Sequence, residues 1–133
     1  MMKIRRARES DRQGMQAALD DPVSHDEPLE NFWVAVRDGE IAGVAKLEDI
    51  GRCLYLSHLG VPKKFRNENI ATRLLNAILP GQAKDVYLYT VIPDFFSRFQ
   101  FVKTQPPKEI PPRRAVECRG CSPTQCTCMV RKA

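Results

Sequence analysis

The stretch from Leu54 to Leu79 constrains the fold most, because it predicts two successive elements and the joint between them. Leu54 to Val61 is an apolar run of strand length that ends at Pro62. Further along, apolar residues recur every three or four positions, as on one face of a helix: Ile70, Leu74, Leu75 and Ile78. The intervening residues are polar and basic. This order predicts a phosphate site, because the first N–H groups of a helix lack partners and its dipole favours negative charge.

The joint also carries a recognisable pattern. Arg66 to Ala71 reads R-x-x-N-x-A, with Val61-Pro62 before it and Arg73 after it. This segment resembles the [QR]-x-x-G-x-[GA] loop of the GNAT superfamily of acetyl-CoA-dependent N-acetyltransferases. The resemblance implies that the loop backbone wraps the CoA pyrophosphate and that the preceding strand splays to accept the pantetheine arm. The cofactor-binding residues implied here are Leu59, Gly60, Val61, Arg66, Asn67, Glu68, Asn69, Ile70, Ala71 and Thr72.

The loop departs from the family pattern at Asn69, where the family has glycine. Asparagine tolerates positive φ better than other non-glycine residues, so the loop shape is compatible with this replacement. An ordinary basic helix start on a protein surface is the alternative interpretation of these residues.

A second segment, Thr90 to Phe101, resembles the T-x-x-x-x-[FW]-F-x-R-x-G-F segment of amino-acid N-acetyltransferases of the N-acetylglutamate synthase type, a branch of GNAT. Gln100 replaces a glycine of that pattern. The resemblance adds Phe95 and Arg98 to the cofactor-binding residues. Many other GNAT enzymes have tyrosine at the position of Phe96, where its hydroxyl can protonate the leaving thiolate, and phenylalanine removes that acid.

The predicted elements form a mixed α/β fold with a mostly antiparallel central sheet and helices on both faces, as in GNAT proteins. Asp38-Gly39 between two apolar runs predicts a tight hairpin, because both turn residues must reach positive φ. A capping box starting at Ser10 predicts the beginning of the first helix. The predicted strands cover 3–8, 32–36, 41–47, 54–61, 85–90, the region of Phe101 and 126–131, and the predicted helices cover 10–19, 70–79 and 93–99.

The length of 133 residues predicts a single domain, 1–133, with a proline-rich connector at 105–112 and a cysteine-rich tail at 113–133. No apolar run approaches the roughly 20 residues of a membrane span, which argues against a membrane partner. The charged N-terminus has no apolar core behind it, so we expect a cytoplasmic protein. The net charge of +5 suits an anionic cofactor.

Four of the five cysteines lie in the tail, at Cys118, Cys121, Cys126 and Cys128. A C-x-x-C pair beside a second pair is compatible with tetrahedral structural zinc. The four-residue spacing between the pairs is short for a zinc ribbon. Reduced buried thiols and a disulfide or redox role therefore stay open as alternatives.

The resemblance implies catalysis mainly by positioning a thioester and an amine together. Backbone N–H groups of Leu59 and Val61 would polarise the thioester carbonyl, and the amine needs a base or a water chain. The sequence does not identify that base. Tyr55 and Glu48 are its candidates, although tyrosine is a poor base near neutral pH, and His58 is interpreted as a core histidine.

The leading function is acetyl transfer from acetyl-CoA to the primary amine of a small acceptor, for example an amino acid such as glutamate. A non-catalytic acyl-CoA-binding regulatory module is the alternative, favoured by the departures at Asn69, Phe96 and Gln100. A basic zinc-containing nucleic-acid-binding protein is a third class, and the scattered basic residues argue against it. The expected partners are the small amine and, as an option, a second copy of the chain in a homodimer.

Overall fold

The computed structural model describes residues 2–19, 27–108, 110 and 126–133. The strands are β1 (Met2–Arg6), β2 (Phe32–Arg37), β3 (Glu40–Asp49), β4 (Leu54–Gly60), β5 (Val86–Thr90), β6 (Val102–Lys103) and β7 (Thr127–Arg131). The helices are α1 (Arg12–Ala18), α2 (Ile70–Ile78) and α3 (Pro93–Ser97). The strands form one sheet in the order β1-β2-β3-β4-β5-β7-β6. The predicted mixed α/β class, with a mostly antiparallel sheet, is confirmed.

The chain divides into two compact units. The first comprises Met1–Leu47 and His58–Pro80, and the second comprises Glu48–Ser57 and Gly81–Ala133. Among the described residues, no helix is long and apolar enough to cross a bilayer.

In the first unit the β2–β3 hairpin forms as predicted. Asp38 and Gly39 have φ values of 50° and 82°, and Arg37 and Glu40 form the last paired positions before the turn. Asparagine, aspartate and glycine reach this region of φ at the lowest cost, which explains the turn sequence.

Helices cover both faces of the sheet in the first unit. On one face Met15 and Ala18 of α1 pack with Phe32, Val34 and Val44. On the other face Gly43 lies against α2, where a Cβ atom would come within 2.8 Å of Ile70 Cγ2. Successive strand residues point to opposite faces. Val34 therefore faces α1, whereas Ala35, which is paired with Gly43, faces α2.

The first helix starts differently from its prediction. Ser10 is not its N-cap, because it lies inside a 3₁₀ turn, Glu9–Asp11, that precedes α1. Asp11 takes the capping role for this turn, and its carboxylate accepts a hydrogen bond from the N–H of Arg8 at 2.7 Å. The same carboxylate accepts two bonds from Arg5 at 2.7 and 3.1 Å, a contact that sequence spacing did not reveal.

In the second unit β4 and β5 are parallel, with Leu54 opposite Val86 and Tyr55 opposite Tyr87. Strand β7 pairs antiparallel with both β5 and β6. Helix α3 is shorter than predicted and ends at Ser97. Phe96 and Phe99 are buried, whereas Phe95 is half-buried.

The C-terminal predictions are partly covered by the structure. Residues 105–108 and 110 of the predicted connector form neither helix nor strand, and the final strand is present as β7. Residues 109 and 111–125 lie outside the described residues, and Cys118 and Cys121 are among them.

Candidate cofactor site

The end of β4 passes directly against the end of α1. A Cβ atom on Gly60 would lie 2.3 Å from the carbonyl oxygen of Ala18 and 2.9 Å from Leu19 Cδ2. Real Cβ atoms do not approach backbone this closely, so only glycine fits here. Leu59 and Val61 on either side are half-buried. Sequence reasoning selected Gly60 from the family pattern, but the contact with Ala18 could not be read from it.

Strand β4 is irregular just before this point. His58 has a φ of 52°, in the left-handed region, which interrupts the regular pleat. Its ring meets Phe32 edge-on, with the ring centroids 5.7 Å apart. His58 is half-buried, so it packs against the core residue Phe32 at the edge of the core.

We call residues 61–69, which connect β4 to α2, the cofactor loop. Its first half is a 3₁₀ turn, Lys63–Phe65, held by the buried ring of Phe65. Arg66 follows the turn and donates from Nε to the carbonyl oxygen of Val61 at 3.2 Å. This bond closes the loop on itself and leaves Arg66 exposed to solvent.

Two asparagines shape the second half of the cofactor loop. Asn69 has a φ of 59° and Asn67 a φ of 74°, so both are left-handed. The expectation that asparagine replaces the family's glycine without loss of this conformation is confirmed at Asn69. The left-handed Asn67 was not predicted, and the Asn-x-Asn spacing was the signal for it, since asparagine tolerates this region better than most residues.

The first backbone donors of helix α2 have no hydrogen-bond partner among the described residues. Its first intrahelical bond runs from the N–H of Arg73 to the carbonyl oxygen of Asn69 at 3.0 Å, and the side chain of Asn69 makes no capping bond. The N–H groups of Ile70, Ala71 and Thr72 therefore precede the helical bonding pattern. The helix is fixed by four buried side chains on one face: Ile70, Leu74, Leu75 and Ile78.

The charge around these donors is positive. The exposed basic side chains of the loop and first helical turn are Lys63, Lys64, Arg66 and Arg73. Glu68 is the acidic residue of the loop, and it forms an ion pair with Arg37 of β2. Free N–H groups, a helix dipole and basic side chains together suit a phosphate or diphosphate.

The two candidates for the catalytic base lie in the second unit. Tyr55 is buried in a cluster with Cys53 and Ile110, and its ring meets that of Tyr89 edge-on at 6.3 Å. We call Tyr55, Tyr87 and Tyr89 the aromatic face, because alternate strand residues and the Tyr55–Tyr87 pairing put them on one side of the sheet. Glu48 is half-buried near the end of β3. The catalytic role of either residue stays a prediction.

Phe95 and Arg98, the other cofactor candidates, lie next to each other on α3 and at its end. The Arg98 guanidinium is 6.0 Å from the centre of the Phe95 ring. Phe96 is buried between Phe95 and Phe101, with ring centroids at 5.0 and 5.9 Å. A role of Phe95 and Arg98 in cofactor binding stays a prediction.

The second unit contains a pocket of about 820 Å³. Its described lining combines hydroxyl, thiol, amide, ammonium and apolar groups: Tyr89, Lys103, Thr104, Gln105, Pro106, Pro107, Lys108, Ile110, Cys126, Thr127 and Cys128. Within the described lining there are two ammonium groups and no carboxylate. The pocket therefore suits a small ligand that carries an anionic group.

The structure describes two of the four predicted zinc ligands. Cys126 and Cys128 line the pocket just described, whereas Cys118 and Cys121 lie outside the described residues. Within the part of the chain that the structure covers, no three metal-ligating side chains come together. The zinc site stays a prediction.

The buried carboxylate of Asp11 forms an ion pair with Arg5 at 2.7 Å in the first unit. Its pKa lies below the ordinary value, chiefly because Arg5 donates two hydrogen bonds to it and also because the Arg8 N–H does. This contact joins β1 to the start of α1. Helix α1 in turn ends at Ala18, the residue against which Gly60 packs.

Several solved structures share this fold. N-acetylglutamate synthase from Neisseria gonorrhoeae, complexed with coenzyme A and N-acetyl-glutamate, is 17% identical with a TM-score of 0.75 over 99% of this chain and 35% of that one. Rv2747 from Mycobacterium tuberculosis, in complex with CoA, is 19% identical with a TM-score of 0.71 over 98% and 99% of the two chains. Ard1 from Thermoplasma volcanium is 18% identical with a TM-score of 0.74 over 99% and 97%.

At these identities the solved structures establish the fold, and this chain spans about a third of the Neisseria protein. No curated protein shows significant sequence similarity to the chain. A profile of the acetyltransferase (GNAT) family matches residues 2–97, which include β4, the cofactor loop and α2. The chain therefore belongs to the GNAT family of acetyltransferases.

Proposed function

We propose that the protein transfers the acetyl group of acetyl-CoA to the primary amine of a small acceptor. The observation that carries this proposal is the start of α2, where three backbone N–H groups follow a basic loop with a left-handed Asn69. This arrangement lies inside the segment that the family profile matches. The CoA bound to the Neisseria and Mycobacterium proteins supports acetyl-CoA as the cosubstrate.

The cofactor loop fits the diphosphate of CoA by charge and by backbone geometry. The N–H groups of Ile70, Ala71 and Thr72 would donate to phosphate oxygens, and Arg66 would add a charge-assisted contact. Gly60 keeps the strand backbone close to α1, so no side chain of its own intrudes there. The proposed cofactor-binding residues are Leu59, Gly60, Val61, Arg66, Asn67, Glu68, Asn69, Ile70, Ala71, Thr72, Phe95 and Arg98.

The thioester supplies an activated acetyl group, and the chain's task is to hold it and to manage protons. We assign the N–H groups of Leu59 and Val61 to the thioester carbonyl oxygen. The amine nitrogen forms the new bond to the carbonyl carbon as the carbon–sulfur bond breaks. The amine proton leaves to water or to a base, for which Glu48 and Tyr55 are the candidates.

The acceptor class is proposed from the pocket in the second unit. Lys103 and Lys108 can pair with a carboxylate, and the hydroxyls of Tyr89, Thr104 and Thr127 can accept or donate hydrogen bonds. An amino acid such as glutamate combines the required amine with carboxylates. The N-acetyl-glutamate in the Neisseria structure supports this class.

Protonation of the departing thiolate needs a source other than residue 96. Phe96 is buried among aromatic rings and offers no acidic proton. We propose that water, or the proton released by the acceptor, fills this role. The rate should then rise with pH as more of the amine becomes neutral, without a falling limb from a side chain at this position.

Thiol release from acetyl-CoA tests the function directly. We expect release with glutamate to exceed release with glutamine, because glutamine lacks the side-chain carboxylate, and to exceed release with simple polyamines. Tight acetyl-CoA binding without release above hydrolysis for any acceptor would contradict the transferase proposal. It would instead support a non-catalytic acyl-CoA-binding module, which the departures at Asn69, Phe96 and Gln100 favour.

Structural zinc at Cys118, Cys121, Cys126 and Cys128 is a separate proposal. Cys126 directly precedes β7 and Cys128 is its second residue, and both line the pocket of the second unit. Elemental analysis should give close to one zinc per chain, and a strong chelator should leave acetyl-CoA binding largely intact. Four titratable thiols without metal would end the zinc proposal. A homodimer and a cytoplasmic location also stay proposals.

A further inference from the structure

We propose that the turn of the β2–β3 hairpin holds the cofactor loop in its binding conformation, and that Arg37 and Glu40 are positioning residues for acetyl-CoA. This inference rests on the proposed function of the loop. It assigns a role to two residues outside the segment from which the cofactor site was predicted. We refer to Arg37–Glu40 as the hairpin turn.

Two ion pairs of opposite polarity connect the hairpin turn to the loop. Arg37 pairs with Glu68, and Glu40 Oε2 lies 2.5 Å from Lys64 Nζ. The hairpin contributes one cation and one anion, and the loop contributes the two complementary charges. Four alternating charges therefore fix both the position and the register of the loop against the hairpin.

The hairpin is a suitable support because its geometry is tightly defined. Arg37 and Glu40 are directly paired across β2 and β3, with only Asp38 and Gly39 between them. Paired positions of two antiparallel strands project their side chains to the same face. Both charged groups are thus presented side by side by a two-residue turn, whose left-handed residues leave little freedom.

The loop needs such a support because of its backbone. Glu68 stands between Asn67 and Asn69, and both asparagines are left-handed. Non-glycine residues in this region persist only when the surroundings determine their conformation. The contact with Arg37 holds the side chain of Glu68, which lies between the two asparagines. Glu68 precedes the three N–H groups of Ile70 to Thr72 by two positions.

The same contact changes the charge that a diphosphate would meet. Glu68 lies within the proposed binding segment, where an uncompensated carboxylate would repel the anion. Arg37 neutralises that carboxylate while it holds it. Lys64 of the loop is held by Glu40 through a second ion pair.

Positioning and simple electrostatics predict opposite results for one substitution. Glu40→Gln removes a negative charge near the proposed anion site, so electrostatics alone predict tighter acetyl-CoA binding. If Glu40 acts by holding Lys64 and the loop, binding should weaken instead. The side chains of both ion pairs are substantially exposed, so the variant should keep the stability of the wild type.

The experiment measures the dissociation constant of acetyl-CoA by titration calorimetry for the wild type, Glu40→Gln and Arg37→Gln. We expect Kd to rise about threefold in Glu40→Gln and about fivefold in Arg37→Gln, with unchanged unfolding midpoints. Arg37→Lys should recover part of the loss. In kinetics the change should appear in KM for acetyl-CoA and leave kcat nearly unchanged.

Glu9→Gln is the matched control, since the exposed Glu9 side chain forms an ion pair with Arg12 at 2.8 Å in the same unit and lies outside the loop. Its Kd should equal that of the wild type. Hydrogen exchange of the Glu68 and Asn69 amides without ligand should accelerate in Arg37→Gln, which tests the support independently of binding. Equal or tighter acetyl-CoA binding in Glu40→Gln would overturn the inference, whereas no binding by the wild type would overturn the proposed function itself.

Discussion

The cofactor loop and the aromatic face present two different kinds of binding surface. In the loop the proposed ligand groups are backbone N–H groups, beside the left-handed Asn67 and Asn69 and the buried ring of Phe65. On the aromatic face the backbone of β5 is hydrogen-bonded to β7 within the sheet. The residue of this face that lines the pocket is Tyr89. Changes to backbone support should therefore impair acetyl-CoA binding, whereas conservative side-chain changes on the aromatic face should affect the acceptor.

The largest effect is expected where the support of the loop is tightest. In Gly60→Ala the new Cβ would lie 2.3 Å from the Ala18 carbonyl oxygen, so strand and helix must separate. We expect the free energy of unfolding to fall by about 3 kcal/mol and acetyl-CoA binding to weaken with it. Urea unfolding of the two proteins measures the first effect. An unfolding free energy within about 0.5 kcal/mol of the wild type would show that this contact does not fix the loop.

The second prediction concerns the helix that carries Ala18. Asp11→Asn removes the charge that binds Arg5, and it should cost about 2 kcal/mol of unfolding free energy at pH 7. The folded-state pKa of Asp11 is lowered, so its stabilising contribution is present above the unfolded pKa and is lost as pH falls through the folded pKa.

Urea unfolding at pH 7 and again well below the ordinary aspartate pKa of 3.8 measures this contribution. The difference between wild type and Asp11→Asn should be largest at pH 7 and should shrink in acid. A difference that stays constant across this range would assign the loss to packing and not to the ion pair.

Gly60 and Asp11 show which features of the structure the sequence could reveal. The order of elements and the Asp38-Gly39 turn depend on neighbours within a few positions and were predicted, and positive φ at Asn69 agrees with the tolerance of asparagine for that region. The contacts of Gly60 with Ala18, and of Asp11 with Arg5, depend on tertiary packing or on side-chain reach that no local pattern encodes.

The same limit applies to the hairpin turn and to α1. Glu68 could be chosen from the family pattern and Lys64 could not, and their partners, Arg37 and Glu40, lie more than twenty residues away in the sequence. The predicted cap at Ser10 was wrong because the capping box forms two residues earlier, between Arg8 and Asp11. There the carboxylate of Asp11, held by Arg5, offers the Arg8 N–H a charged acceptor. A charged acceptor forms the stronger bond.

The third prediction acts on charge in the cofactor loop itself. Arg66→Glu replaces attraction by repulsion at the proposed diphosphate and should weaken acetyl-CoA binding by at least ~1.4 kcal/mol, or about tenfold. Arg52→Glu makes the same change in net charge at an exposed position of the second unit and should have little effect. Equal losses in the two variants would mean that net charge, and not the loop, attracts the cofactor.

A smaller effect is expected on the aromatic face. Tyr89→Phe removes a hydroxyl that lines the pocket, and KM for the acceptor should rise about threefold while Kd for acetyl-CoA stays the same. Tyr87→Phe is the control, because Tyr87 shares this face without lining the pocket. A change in acetyl-CoA affinity with Tyr89→Phe would contradict the proposal that the cofactor loop binds acetyl-CoA and the aromatic face binds the acceptor.

The most direct test of the cofactor assignment is a map of backbone amide resonances during titration with acetyl-CoA. We expect the largest saturable shifts at Ile70, Ala71 and Thr72, whose N–H groups precede the first intrahelical bond of α2. The amides of Asn67 to Asn69 should shift with them, since they form the same turn. Saturable binding that leaves all of these resonances unmoved would contradict the assignment of the cofactor site to this loop.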